Sequence, residues 1–114
     1  IVTPGVPDKV LVNAITKAYY EPLLQAGVRI FEYIPGFVHS KTMVCDDEYA
    51  VCGTINLDYR SLFLNHECAV WMYGSSAIPA MRDDFLAMLS KCAEITPELY
   101  FAACSEIYCG FLPR

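Results

Sequence analysis

The sequence has no run of about 18 apolar residues, the length a helix needs to cross a bilayer, and no recognisable signal peptide. This stretch of chain is therefore not expected to span a membrane. Positive charge is scarce too: 8 Lys and Arg stand against 13 Asp and Glu, a net charge of −5. Nucleic-acid binders carry the opposite balance, so no nucleic-acid partner is expected. The six cysteines (45, 52, 68, 92, 104 and 109) contain no Cys-x-x-Cys pair and no zinc spacing. They read as reduced thiols of a cytosolic-side domain, with Cys45, Cys52 and Cys68 acting as small hydrophobes in strand-like runs. Histidine occurs only twice. A metal site from His39, His66, Asp46 and Glu67 is imaginable, but adjacent His66 and Glu67 point to opposite faces of a strand. No metal is expected. No internal repeat or low-complexity segment appears, and 114 residues suffice for one domain with a modest core.

What is present centres on His39 to Asn56. His39-Ser40-Lys41 leads to Asp46, and six residues later the chain reads Gly53-Thr54-Ile55-Asn56. In an extended strand, His39 and Lys41 share a face. An imidazole beside a fixed ammonium suits a substrate that is already negative, above all a phosphate. Asn56 adds a neutral donor and Thr54 a hydroxyl. Taken singly, each has a plainer reading: a strand histidine satisfied by neighbours, a solvated edge lysine, a turn asparagine. Five positions at fixed spacing outweigh those readings.

The pattern His-x-Lys-x4-Asp-x6-Gly-(Ser/Thr)-x-Asn resembles the signature of the phospholipase D superfamily. Ile1 to Asp8, Tyr19-Tyr20, Gly27 to Gly36, the run Asn-Leu-Asp-Tyr-Arg-Ser-Leu from Asn56 to Leu62, and Glu67 to Gly74 extend the likeness. Together they resemble the second catalytic half of bacterial cardiolipin synthases over residues 1–95, with 96–114 a divergent helical tail. Since the likeness begins inside a family domain and the chain opens at Ile1, the sequence reads as a fragment of a longer polypeptide.

The resemblance implies an α/β/α sandwich around a central mixed sheet, one half of a two-motif enzyme. It implies transfer of a phosphatidyl group between two phosphatidylglycerol molecules, giving cardiolipin and glycerol through a phosphohistidine, with no cofactor and no metal. His39 is then nucleophile or general acid/base; Lys41 and Asn56 bind the phosphate with it. Glu67 hydrogen-bonds the imidazole, and Asp46, Gly53 and Thr54 support the site. The partners implied are anionic phospholipid and the first catalytic half, or a second copy for an isolated fragment. The longer protein is expected at the cell membrane with its catalytic part on the cytoplasmic side, this fragment itself being soluble. Two alternatives stay open: another phosphodiesterase or transphosphatidylase of the superfamily, and a structural half without activity of its own.

Periodicity supplies the elements. Ile1-Val2 reads as the tail of a strand, and Asp8 as the cap of a helix over Lys9–Tyr20 with Val10, Leu11, Ala14, Ile15, Ala18 and Tyr19 on its buried stripe. Pro22 kinks that helix or starts another, and Gly27 ends it. Strands are expected over Val28–Ile34, Val38–Cys45, Tyr49–Gly53 and His66–Tyr73, with Asp46-Asp47-Glu48 as a hairpin turn. By strand parity, Asp46 holds the turn rather than contacting substrate. Glu67 is expected inward among Ala69, Val70 and Trp71, where a buried carboxylate needs a partner. Trp71, Met72 and Tyr73 read as core, and Arg60 as either a headgroup contact or a salt-bridged structural residue. A helical turn is expected at Asp58 to Leu62, a longer helix with Ile78, Met81, Phe85, Leu89 and Cys92 inward, and a short one from Thr96-Pro97. The tail is unusually aromatic: Tyr100, Phe101, Tyr108 and Phe111.

Overall fold

The structure, a computed structural model, describes residues 1–102. The expectations for Cys104, Tyr108, Cys109 and Phe111 fall outside the described residues. In chain order the elements are β1 (Val2–Pro4), α1 (Val10–Ala18), α2 (Tyr20–Gln25), β2 (Ile30–Tyr33), β3 (Thr42–Cys45), β4 (Tyr49–Gly53), α3 (Tyr59–Phe63), β5 (Ala69–Tyr73), α4 (Ala77–Leu89) and β6 (Cys92–Ile95). The class is α/β, as expected. Its strands are divided between two three-stranded sheets rather than gathered into one. Among the described residues no helix is long and apolar enough to cross a membrane.

One unit comprises Ile1–Val38 and the chain from Lys91. Its sheet is mixed: β2 pairs with β1 in parallel and with β6 antiparallel, Ile30 opposite Ile95. Pro22 opens a second helix in its first turn, where a missing N–H costs nothing. Gly27, at φ 82°, ends it: its N–H reaches the Leu24 carbonyl at 3.0 Å and that of Val28 reaches Leu23 at 2.9 Å. Lys9 rather than Asp8 stands at the start of α1, with no side-chain cap. Ile30 and Tyr20 are buried, whereas Leu11, Ile15 and Tyr19 are exposed. Leu11, Ala14, Ile15, Ala18 and Tyr19 of the expected stripe therefore face outward in this chain, because periodicity reports an apolar face without saying what covers it.

The other unit, His39–Ser90, is an antiparallel meander β3-β4-β5 with α4 packed against β3. Ala50 and Ile78 form its buried centre. At the β3–β4 turn Asp46 and Asp47 both take positive φ, 53° and 57°, a conformation aspartate tolerates better than most residues. Arg82 of α4 pins that turn through Asp47 at 2.7 Å. Asp46 accepts a 3.3 Å bond from the Cys45 thiol and lies in the turn.

Three expectations for packing are corrected here. Trp71 is 66% and Tyr73 60% exposed, so these two lie outside the core; both ring-pair with Tyr49 on an open sheet face. Cys45, Cys52 and Cys68 are exposed free thiols instead of buried hydrophobes. Cys92 does not extend the α4 stripe but opens β6, a strand too short and too polar (Cys-Ala-Glu-Ile) to announce itself by period.

Candidate active site

The His-x-Lys stretch lies just ahead of β3, not within it. The expected strand over Val38–Cys45 begins only at Thr42. The last bond of the β3–β4 ladder runs from the Gly53 N–H to the Lys41 carbonyl, at 3.1 Å. Residues before Lys41 thus lose their strand partner, and parity ceases to place them. Lys41 is instead tied to His39 directly, its Nζ donating to the His39 carbonyl at 2.7 Å. His39 is exposed and Lys41 half-buried.

Gly53 makes the next step possible. A Cβ there would stand 2.3 Å from the Cys68 carbonyl oxygen and 2.6 Å from the Ala69 Cα. Only glycine lets the chain leading into β5 come this close. The approach locks Thr54 against Cys68, whose N–H donates to Thr54 Oγ1 at 3.0 Å. The Thr54 hydroxyl donates in turn to the Glu67 carboxylate.

Glu67 is half-buried, and it lies before β5 rather than inside it. Its surroundings are polar, not the apolar set expected, since Ala69, Val70 and Trp71 are exposed. Besides Thr54, Ser61 Oγ donates to it at 2.7 Å and Asn65 Nδ2 at 3.1 Å. These three donors, Thr54 foremost, hold its carboxyl below the usual carboxylate range, and the Lys41 ammonium adds to the effect. Lys41 and Glu67 therefore feel one another's charge in this unit.

Asn56 enters the same network through Ser61, its Nδ2 donating to Ser61 Oγ at 3.4 Å. Helix α3 positions that serine. Asp58 caps the helix, accepting from the Ser61 N–H at 2.7 Å, which sets the first turn and aims the Ser61 side chain. Arg60 donates to the Asn65 amide oxygen at 3.3 Å rather than to a carboxylate, so it stiffens the network's edge. Thr54, Asn56 and Glu67 are thus linked through hydrogen bonds, with Ser61 between the last two, while Lys41 acts on Glu67 through space and is bonded to the His39 backbone carbonyl. Asp46 stands apart, at the far end of β3, roughly 16 Å away along an extended chain.

Sequence reasoning passed over Ser61 and Asn65. The Asp58-x-x-Ser61 spacing of a helix cap was the available signal for the first, and the short Asn65-x-Glu67 spacing for the second.

The described geometry gathers hydrogen-bond donors, a cation and an ionised carboxylate along a sequence signature, and residues 1–89 match the family model described as cardiolipin synthase, PLD-like domain. The chain belongs to that family. Among cardiolipin synthase relatives, a protein from Listeria welshimeri is 39% identical over 100 residues, covering 88% of this chain, and one from Clostridium perfringens is 38% identical over 100. An uncharacterised protein of Streptococcus mutans is 47% identical over 96 residues, covering 84% of this chain. In each case the chain spans 21% of the relative's length. No solved structure matches.

Proposed function

We propose that this chain is the second catalytic half of a longer membrane enzyme that joins two phosphatidylglycerol molecules into cardiolipin and releases glycerol. One observation carries the reading: an anionic Glu67, held by neutral donors, lies within electrostatic reach of Lys41 and is bonded to the serine that contacts Asn56. That charge pattern suits a phosphoryl-transfer site and supports the reading.

In the proposed reaction an imidazole nitrogen attacks phosphorus as the bond to the glycerol oxygen breaks, and a second histidine gives that oxygen its proton. A hydroxyl of the second phosphatidylglycerol then loses its proton to the same base and attacks phosphorus. The phosphorus–nitrogen bond breaks and the imidazole returns. His39 supplies one of the two imidazoles and a second copy of the motif, in the first half, the other. Lys41 and Asn56 hold the non-bridging oxygens, and Glu67 sets the orientation and basicity of His39. Asp46, Gly53 and Thr54 keep the frame. Residues 1–95 make up this half, and beyond them Tyr100 docks on α1, its hydroxyl donating to the Lys17 carbonyl at 3.3 Å. The catalytic part faces the cytoplasm.

The test uses the full-length protein with phosphatidylglycerol vesicles. Cardiolipin and glycerol should appear in equal amounts, and His39→Ala should lower the rate by at least about 10³-fold. A His39→Ala protein that still makes cardiolipin at a near-normal rate removes His39 from the mechanism. The isolated chain, carrying one motif, is expected to turn over little lipid unless two copies pair; robust turnover by a sample monomeric in sedimentation overturns that.

A further inference from the structure

Ser61 is the one polar residue buried among the described residues, 5% exposed, and its hydroxyl is used twice. An ionised carboxylate only accepts, so the Ser61 proton must go to Glu67. The Ser61 oxygen is then left as acceptor, and the Asn56 side chain must present its NH₂ group to it. The chain of bonds has one direction: Asn56 to Ser61 to Glu67. It leaves the second proton on Asn56 Nδ2, which no described residue takes, for a ligand. Without Ser61 the amide is free to turn over and offer its carbonyl oxygen, which repels phosphate.

We infer that Ser61 is a positioning residue that fixes the donor end of the Asn56 amide toward the phosphate, with Glu67 enforcing the polarity. The inference rests on the phosphoryl-transfer reading above. It accounts for a buried hydroxyl in a helix of five residues whose cap, Asp58, already satisfies the Ser61 N–H. The hydroxyl therefore has no capping work of its own.

The experiment measures the affinity of the full-length protein for tungstate, a phosphate mimic, by titration calorimetry. Ser61→Ala should weaken binding about 10-fold, equivalent to about 1.4 kcal/mol. In an Asn56→Ala background the same substitution should change it less than about twofold, because the group that Ser61 orients is gone. Equal losses in both backgrounds, or none in either, overturn the inference and leave the phosphate site standing. Wild-type protein that takes up no tungstate overturns the phosphate site itself, and the role of Ser61 with it. Should Ser61→Ala fail to fold, Ser61→Thr, which keeps the hydroxyl donor, is compared with Ser61→Cys, a weak donor. Retention by threonine with loss by cysteine supports the inference; equal affinities overturn it.

Discussion

Two glutamates show how differently the units of this chain treat a carboxylate. In the first unit, Glu32 on β2 takes an ion pair from Lys17 at 2.9 Å and a hydrogen bond from the Tyr20 hydroxyl at 3.1 Å. Tyr20 is 3% exposed and bonds Thr3 as well, at 2.7 Å. The charge is neutralised on the spot, and the cluster is a joint between strand and helix. In the second unit, Glu67 takes its three hydrogen bonds from uncharged donors, and Lys41 acts on it through space. Neutral donors stabilise an anion without cancelling its charge, so Glu67 stays available to act on other groups. Glu32 is paired with a cation, whereas Glu67 is solvated by dipoles.

The sharpest way to break this contrast is to neutralise each carboxylate in turn. Glu67→Gln in the full-length protein should lower turnover by roughly 10²–10⁴-fold. Glu32→Gln should leave turnover near normal and lower stability by about 1 kcal/mol in denaturant unfolding, a small value because Lys17 is 42% exposed. Reversed outcomes would exchange the two roles.

A second probe adds a methyl group to each unit. Gly53→Ala and Gly5→Ala place a Cβ 2.3 Å from the Cys68 and 2.6 Å from the Tyr33 carbonyl oxygens. Each should cost about 1–3 kcal/mol of stability. Only Gly53→Ala should also reduce tungstate affinity.

Alkali separates the units next. Burial, chiefly, pushes the Tyr20 hydroxyl up to about 12 from 10.0, with the Glu32 charge assisting and Thr3 opposing. Because its folded value lies above the unfolded one, the stability it contributes is complete below pH 10 and is lost as pH rises toward 12. The loss should reach about 2 kcal/mol, and Tyr20→Phe should abolish that slope. Glu67 has the opposite sign. Its folded value is depressed, so its contribution holds above the ordinary carboxylate range and fades only as pH falls through the lowered value. The smallest effect is Asp58→Ala, which removes the α3 cap and should cost about 1 kcal/mol in the same unfolding assay.

Much of the second unit was legible in its sequence, because its cues are local. The Asp46-Asp47 turn and the α3 turn at Asp58 depend on residues a few positions apart, whereas the need for Gly53 comes from Cys68 and Ala69, far along the chain. The placement of His39 and Lys41 was not legible, since side-chain parity holds only while a strand keeps its partner and the ladder ends at Lys41. The site's inner wiring was also hidden. Ser61 reaches Glu67 across a loop, and no periodicity encodes that. In the first unit the helices were legible and their facing was not: the apolar positions of α1 exist, but Tyr20, the first residue of α2, is what becomes buried. β6 was missed because a four-residue strand gains its identity from β2, which lies far away in sequence.

That separation has a consequence for the order in which the chain folds. The first sheet closes only when distant segments meet, as Arg29 and Glu94 do across 65 residues. The meander from Thr42 to Tyr73 closes through successive neighbours and loses little loop entropy at each step. During synthesis the strands around Lys41, Asn56 and Glu67 can therefore pair before the residues of β6 have left the ribosome. The Glu67 network would be the early nucleus, and the sheet of β1, β2 and β6 its late addition.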